Sequence, residues 1–280
     1  MQEHEGRRGA SASLEHNKAA VGQDYLRYGA SAMCNLYKMT KTVEEVARLF
    51  GAFADPPGNA GDTVYPGYPG FVVAPDGGTL RVRQMVWGFP LVLKGKNGQP
   101  LKPKPVNNAR TDKLAGGFWR PSFHARRCLI PVTAFCEAEG EKGAKTRTWF
   151  SLSDQELFAV AGIWRDTAEW GAAYSMVMCE STKPSDTEQS SEEQGEEMRS
   201  QIGRAARAPA SDSFDVTPGL PRVMIKPYAV ADVHDRMPAI LPESDWGDWL
   251  DGPPDAAGLL CRPYELGMRV ERTEESWLRR

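Results

Sequence analysis

Thr146-Arg147-Thr148-Trp149-Phe150-Ser151-Leu152, then Ser153-Asp154-Gln155, then Leu157-Phe158-Ala159-Val160-Ala161-Gly162-Ile163-Trp164: two runs rich in β-branched and aromatic residues, joined by a polar turn, read as neighbouring antiparallel strands. Arg127 to Pro131 before them and Tyr174 to Cys179 after them have the same character. Strands packed this closely in sequence predict a mainly antiparallel curved sheet or barrel, with few and peripheral helices.

On the N-terminal side, Thr42-Val43-Glu44-Glu45 reads as a capping box, and Val43, Val46, Ala47 and Phe50 share one helical face that ends near Gly51. Residues 55–78, full of Pro, Gly and Asp, read as a long ordered loop anchored by Tyr65, Tyr68 and Phe71. Thr79 to Trp87 alternates as a strand and is broken by Gly88-Phe89-Pro90; residues 92–106 read as loop. On the C-terminal side, residues 185–221 run from acidic (Glu188, Glu192, Glu193, Glu196, Glu197) to basic (Arg199, Arg204, Arg207) and read as a solvated, disordered insertion. An insertion on a surface loop is cheap in closure entropy, so one domain survives it. The sheet resumes at Arg222 to Lys226, passes through Val233-His234-Asp235-Arg236-Met237-Pro238, and gives way to a short helix around Ser244 to Leu250.

The chain has 280 residues, 25% of them charged and 41% hydrophobic, which are ordinary globular values. No apolar run approaches the ~20 residues needed to span a bilayer. A net charge of -3 makes no overall case for nucleic acid, although a balanced sum leaves room for a local basic patch. The cysteines, Cys34, Cys128, Cys136, Cys179 and Cys261, are odd in number and irregularly spaced, which argues against a disulfide scaffold and for a reducing, cytoplasmic setting. His124, Cys128 and Cys136 lack the close spacing of a zinc site, so no metal is expected. No phosphate-binding glycine motif or dinucleotide fingerprint is present, so no cofactor is expected either.

Met33-Cys34-Asn35-Leu36-Tyr37 looks like a translation start placed late. Removal of everything through Met33 leaves a cysteine whose free amine and thiol belong to one residue. Such a pair captures an aldehyde as an imine and closes it to a thiazolidine. Residues 1–32 show no sustained apolar period and no secretory h-region. They read as a disordered leader or a misassigned start, with a functional pro-segment as the alternative. While attached, they make the Cys34 amine an amide.

Several other polar residues sit in apolar or turn-forming contexts. Glu137 follows the apolar run Cys128 to Cys136. If buried, its pKa would rise toward neutrality, as a proton-transfer group requires. Glu139 and Glu141 beyond it equally fit a solvent-facing strand end. His234, between Val233 and Asp235, fits either a proton relay or a structural histidine. Asn107-Asn108-Ala109-Arg110-Thr111-Asp112 offers an amide to orient a carbonyl or hydroxyl and a guanidinium to clamp an anion, or an ordinary Asx turn. Arg110, Phe118, Trp119, Arg120, Phe123, Arg126 and Arg127, with Trp87, mix stacking faces and cations as single-stranded nucleic acid requires, or form a half-buried strip.

Taken in order, Met33 to Tyr37, Val86-Trp87-Gly88-Phe89-Pro90, Asn108-Ala109-Arg110, Arg127-Cys128-Leu129-Ile130-Pro131 with Phe135 and Glu137, and Val233 to Pro238 resemble the SOS response-associated peptidase (SRAP) family of abasic-site processing proteins. The resemblance runs from Met33 to about Leu250 and lies in five separated motifs recurring in order. It implies a single α+β domain with a β-barrel-like core, a groove for single-stranded DNA and no need of a second subunit. The domain then spans 33–270, with a tail at 271–280.

The resemblance also implies that a mature N-terminal Cys34 attacks the ring-opened sugar aldehyde of an abasic site and forms a stable thiazolidine crosslink. Glu137 would be the acid/base carboxylate, His234 would help open and orient the sugar, and Asn108 would position the amine and sugar. Asn35, Trp87, Arg110, Arg120, Thr182 and Arg236 would contact DNA, the arginines through phosphates, which give affinity without sequence preference. The chain departs from the family at Ala138, where an aromatic residue is frequent, at Asp112, where glutamate is common, and in the 185–221 insertion. Two alternatives to the crosslinking protein stand: a thiol autopeptidase that cleaves Ala32-Met33 or Met33-Cys34, and a non-catalytic single-strand binding module.

Overall fold

The computed structural model describes residues 34–55, 60–181 and 223–277. The expected leader, the 185–221 insertion and Thr182 lie outside the described residues.

In chain order, β1 (Tyr37–Lys38) leads to helix α1 (Val43–Leu49), whose capping box is formed: Glu45 N–H donates to Thr42 Oγ1 at 3.2 Å and Thr42 N–H donates to Glu45 Oε2 at 2.8 Å. There follow β2 (Phe53–Ala54), β3 (Thr63–Val64), β4 (Pro69–Asp76), β5 (Thr79–Trp87), β6 (Phe89–Leu91), β7 (Lys104–Val106), β8 (Asn108–Arg110) and helix α2 (Arg120–Ala125). Next come β9 (Arg127–Val132), β10 (Ala134–Glu139), β11 (Thr146–Leu152), β12 (Phe158–Thr167) and β13 (Gly171–Glu180). After the insertion stand β14 (Val223–Lys226), β15 (Arg236–Pro238), β16 (Ile240–Leu241), helices α3 (Trp246–Asp251) and α4 (Pro254–Leu259), and β17 (Met268–Ser276).

Five strands close on themselves. β13 pairs with β12, β12 with β9, β9 with β4 and β4 with β5, all antiparallel, and β5 returns to β13 in parallel register at Ala173↔Val86 and Tyr174↔Trp87. Closure removes two sheet edges. A six-stranded sheet in the order β14-β17-β11-β10-β1-β3 packs beside the barrel, and the chain crosses into it from β9 to β10 and leaves it from β11 to β12. Phe135 and Phe150, both fully buried, stack at 5.4 Å between centroids on that sheet. The fold is therefore the expected mainly antiparallel α+β barrel.

β13 carries more than the ring. It also pairs with β8 in parallel, Met176↔Asn108 through Met178↔Arg110, and with β15, Glu180↔Arg236. The Asn-Ala-Arg and Arg-Met-Pro segments are thus laid along one strand.

Several expectations are corrected. Pro69–Asp76 is a full strand rather than loop, and Tyr68 is exposed rather than an anchor. Its glycine is obligatory: a Cβ on Gly70 would collide with the hydroxyls of Tyr37 and Tyr174, which hydrogen-bond to each other in the core. Gly88, at φ +107°, does break β5, yet the chain continues as β6, which pairs with β7 inside the expected 92–106 loop. The expected tail is also structured, because β17 runs to Ser276 against β11. Its Arg/Glu alternation belongs to a strand with one solvated face. Among the described residues no helix is long and apolar enough to cross a membrane.

Candidate functional site

Cys34 lies three residues before the start of β1 and is fully buried. Beyond the Tyr37↔Phe135 pair, Cys136 N–H donates to Leu36 O at 2.9 Å, so Glu137 comes level with Asn35 and lies beside Cys34. Glu137 is also fully buried, and neither of its carboxyl oxygens has a hydrogen-bond partner. Burial first, and then the Asp235 charge, raise its pKa well above the ordinary range. The Cys34 backbone N–H and the Lys145 ammonium act in the opposite direction. That N–H therefore lies close to the carboxyl without completing a full hydrogen bond. The solvent-facing alternative for Glu137 is excluded.

Burial, followed by the Glu137 charge, raises the Cys34 thiol well above its usual pKa. The thiol rests neutral, its Sγ 3.6 Å from Leu36 O. The Cys34 carbonyl is gripped from the other side: Asn108 Nδ2 donates to it at 2.8 Å and Asn107 Nδ2 at 3.1 Å. Asn108 Oδ1 is left buried without a partner. Three buried acceptors without partners, two on Glu137 and one on Asn108, thus stand around Cys34.

His234 follows a 3-10 turn at Ala229–Asp232 and is anchored at both backbone ends: its N–H donates to Val230 O at 2.8 Å, and Ser181 Oγ donates to its carbonyl. His234 Nδ1 sits 3.0 Å from Arg236 N and 3.2 Å from Arg236 O, so that one residue can serve it as donor or as acceptor. Burial lowers its pKa, against the Asp235 carboxylate 3.1 Å from Nδ1, which would become an ion-pair partner only on protonation. Asp235 and Lys145 are felt by both Glu137 and His234, which ties the two groups into one electrostatic neighbourhood.

Arg110 and Arg236 converge on Asp112. Arg110 grips it in bidentate fashion, and Arg236 Nη1 lies 3.8 Å from its Oδ1, with Glu180 3.7 Å from Nη2. The shorter aspartate at 112 still reaches both guanidiniums. Asn35 is half-buried beside Cys34, and Arg120 is exposed at the start of α2.

Trp87 is a correction: it is fully buried, edge-on to Tyr37 at 5.0 Å, and its Nε1 donates to Asn107 O at 3.1 Å. It supports the site from within and offers DNA no face. The basic–aromatic strip is likewise dispersed. Phe118, Trp119 and Phe123 are buried, and Arg127 is a buried clamp that donates to the carbonyls of Phe123, Trp249, Leu250 and Gly252. Only Arg120 and Arg126 of that strip are exposed. Asn107, Tyr174, Asp235 and Lys145 were not singled out from sequence. The doubled Asn107-Asn108 was the one visible signal for the first of them.

A closed, mainly antiparallel barrel flanked by a second sheet, with a buried cysteine, a buried glutamate and paired amides gathered where they meet, defines the class of fold and site. Residues 33–189 match the model of the SOS response associated peptidase (SRAP) family, and the chain belongs to that family. It is 24% identical over 217 residues to the abasic site processing protein YoqW of Bacillus subtilis (strain 168), covering 71% of this chain and 75% of that one. The YoqW of Bacillus phage SPbeta matches equally. Among solved structures, a Bordetella bronchiseptica protein superposes with a TM-score of 0.56 at 20% identity, covering 86% of this chain and 99% of that chain. A Bacteroides thetaiotaomicron protein does so with 0.56 at 16%, covering 85% and 91%. At such identities these two establish the fold alone.

Proposed function

We propose that this protein captures abasic sites in single-stranded DNA by forming a thiazolidine with Cys34 once the leader has been removed. The observation that carries this reading is Glu137, fully buried with both oxygens unpartnered beside the Cys34 nitrogen. The kinship with proteins named for abasic site processing supports it.

In this mechanism Glu137 takes a proton from the Cys34 ammonium, and the free amine adds to the aldehyde carbon of the ring-opened sugar. Glu137 returns that proton to the resulting hydroxyl, which leaves as water and gives the protonated imine. The neutral Cys34 thiol then adds to it: sulfur bonds to carbon, the thiol proton passes to the Glu137 carboxylate, and the five-membered ring closes. An α-amine pKa near ~7.7 to 8.0 leaves a useful neutral fraction, and a carboxyl pKa raised above its ordinary range makes Glu137 a stronger proton acceptor for this exchange. His234 assists opening of the sugar ring. Asn108 Oδ1 accepts from the amine or a sugar hydroxyl. Arg110, Arg236, Arg120 and Asn35 hold the strand, and one copy of the chain suffices.

The autopeptidase reading keeps one specific support. The Cys34 N–H lies against Glu137, which places an acid to protonate the departing amine if Sγ attacks the Met33 carbonyl. The decisive experiment incubates Cys34-started protein with an oligonucleotide bearing one abasic site. A denaturation-resistant adduct, absent in Cys34→Ala and slowed in Glu137→Gln, is expected. Noncovalent binding without an adduct would leave only a passive binding module. Mass spectrometry of the expressed 280-residue chain and its Cys34→Ala variant tests self-removal of the leader.

A further inference from the structure

Asn107 belongs to the site as well as to its scaffold. Successive side chains of a regular strand point to opposite faces, so two adjacent amides in one strand do not meet on one atom. Asn107 occupies the one-residue break between β7 and β8, and there both amides converge on Cys34 O. Its backbone is fixed where it stands, since Trp87 Nε1 and Met176 N–H both donate to Asn107 O, at 3.1 and 2.9 Å.

An amide NH2 has two protons. Asn107 gives one to Cys34 O at 3.1 Å and the other to Asn35 Oδ1 at 3.0 Å. A flip of its amide would set its oxygen against two acceptors, so its orientation is determined. The orientation of Asn35 follows: with Oδ1 turned to Asn107, the Asn35 NH2 is the end presented outward, as a donor.

We infer that Asn107 is a positioning residue with two outputs, immobilising the Cys34 carbonyl so that its nitrogen is aimed at Glu137, and setting the Asn35 amide as a donor to an acceptor oxygen, phosphate or sugar, of the DNA strand. This rests on the crosslinking function proposed above. Two amides on one carbonyl oxygen occupy both its lone pairs and leave Cys34 little freedom about the bond that swings its amine. The second output makes Asn35 selective for an acceptor.

The test uses Cys34-started protein under single-turnover conditions, with adduct formation followed across DNA concentration on an abasic oligonucleotide. Asn107→Ala should lower the limiting rate constant about tenfold or more through lost positioning. It should also raise the half-saturating DNA concentration about threefold. Asn35→Ala should raise the half-saturating concentration by about the same factor and leave the limiting rate within about twofold. In the Asn107→Ala background, Asn35→Ala should add less, because its amide is no longer held as a donor. A residue with only a structural role would give no such split and no such non-additivity. Isosteric Asn107→Asp, which cannot donate, should reproduce both losses and serves if the alanine variant unfolds. Unaltered kinetics in a folded Asn107 variant, or equal Asn35→Ala effects in both backgrounds, overturns the inference. If unsubstituted protein forms no adduct, the proposed function fails instead, and the same double-mutant comparison on noncovalent binding of undamaged single-stranded DNA still decides the Asn35–Asn107 coupling.

Discussion

Arg110 grips Asp112 through Nε and Nη2 at 2.9 and 2.8 Å, so an anion supplied by the chain occupies the fork where a phosphate would dock. Arg236 leans on the same carboxylate from 3.8 Å. The pairing holds both guanidiniums in place and, under the proposed function, would compete with DNA. Asp112→Asn should tighten noncovalent binding of undamaged single-stranded DNA by about threefold at low salt, as expected for a partly exposed pair. Its salt dependence should steepen by about 0.7 in the log–log slope, the contribution of one added phosphate contact. Weaker binding with an unchanged slope would mean that the carboxylate acts by orienting alone.

Glu137 makes a pH-dependent prediction of definite sign. Its folded pKa is raised, so between its ordinary value near ~4.3 and its folded value the folded chain holds a proton that the unfolded chain has released. Folding stability must fall as pH rises through that window, by about 1.4 kcal/mol for each unit of elevation. Denaturant titrations upward from pH 5 should show stability falling in the native sequence and the loss of that fall in Glu137→Gln. That variant should be the more stable at pH 8 and slower in adduct formation by about 10²-fold or more.

His234 has the opposite slope. Burial lowers its pKa, so on acidification the unfolded chain takes the proton first, and stability is lost as pH falls below the ordinary ~6.5 toward the folded value. His234→Asn should flatten that acid limb while slowing adduct formation. NMR titration of the ring carbons in the native protein should give a midpoint below that of a free histidine.

Gly70 is the tightest point of the barrel. Gly70→Ala should destabilise the fold by about 1–3 kcal/mol, because the new methyl meets the Tyr37 and Tyr174 hydroxyls. Removal of one hydroxyl in Gly70→Ala/Tyr174→Phe should recover part of that loss. Urea midpoints of the two single variants and the double variant measure the coupling, and strict additivity would contradict the clash.

Arg127, grouped with the DNA-facing strip by composition, should act on stability alone. Arg127→Ala leaves the carbonyls of Phe123, Trp249, Leu250 and Gly252 without their donor and should lower stability by about 3 kcal/mol. The salt slope of DNA binding should stay unchanged where the variant is folded.

What could be read beforehand depended on whether residue type alone fixes direction. The runs at Thr146–Leu152 and Phe158–Thr167 declare themselves because β-branched and aromatic residues recur through both. β4 hid behind Pro69, Gly70 and Pro75, which spell loop by composition; Gly70 is there because two phenols need the space. Helix α2 has six residues and no side-chain N-cap bond, too little for a periodic signal. At the site, Cys34, Glu137 and His234 were visible as types, and only the β1–β10 register turns Glu137 inward. Trp87 and Arg127 show the converse: a ring and a guanidinium look alike in sequence whether they face solvent or the core.

β13 closes the barrel and also carries β8 and β15, so Asn108, Arg110 and Arg236 reach their places only when strands distant in sequence have paired. Such a topology has high contact order, and its last pairings form late. A half-folded chain therefore lacks the Asn108 clamp on the Cys34 carbonyl, even where β1 and β10 have already paired and set Glu137 in place.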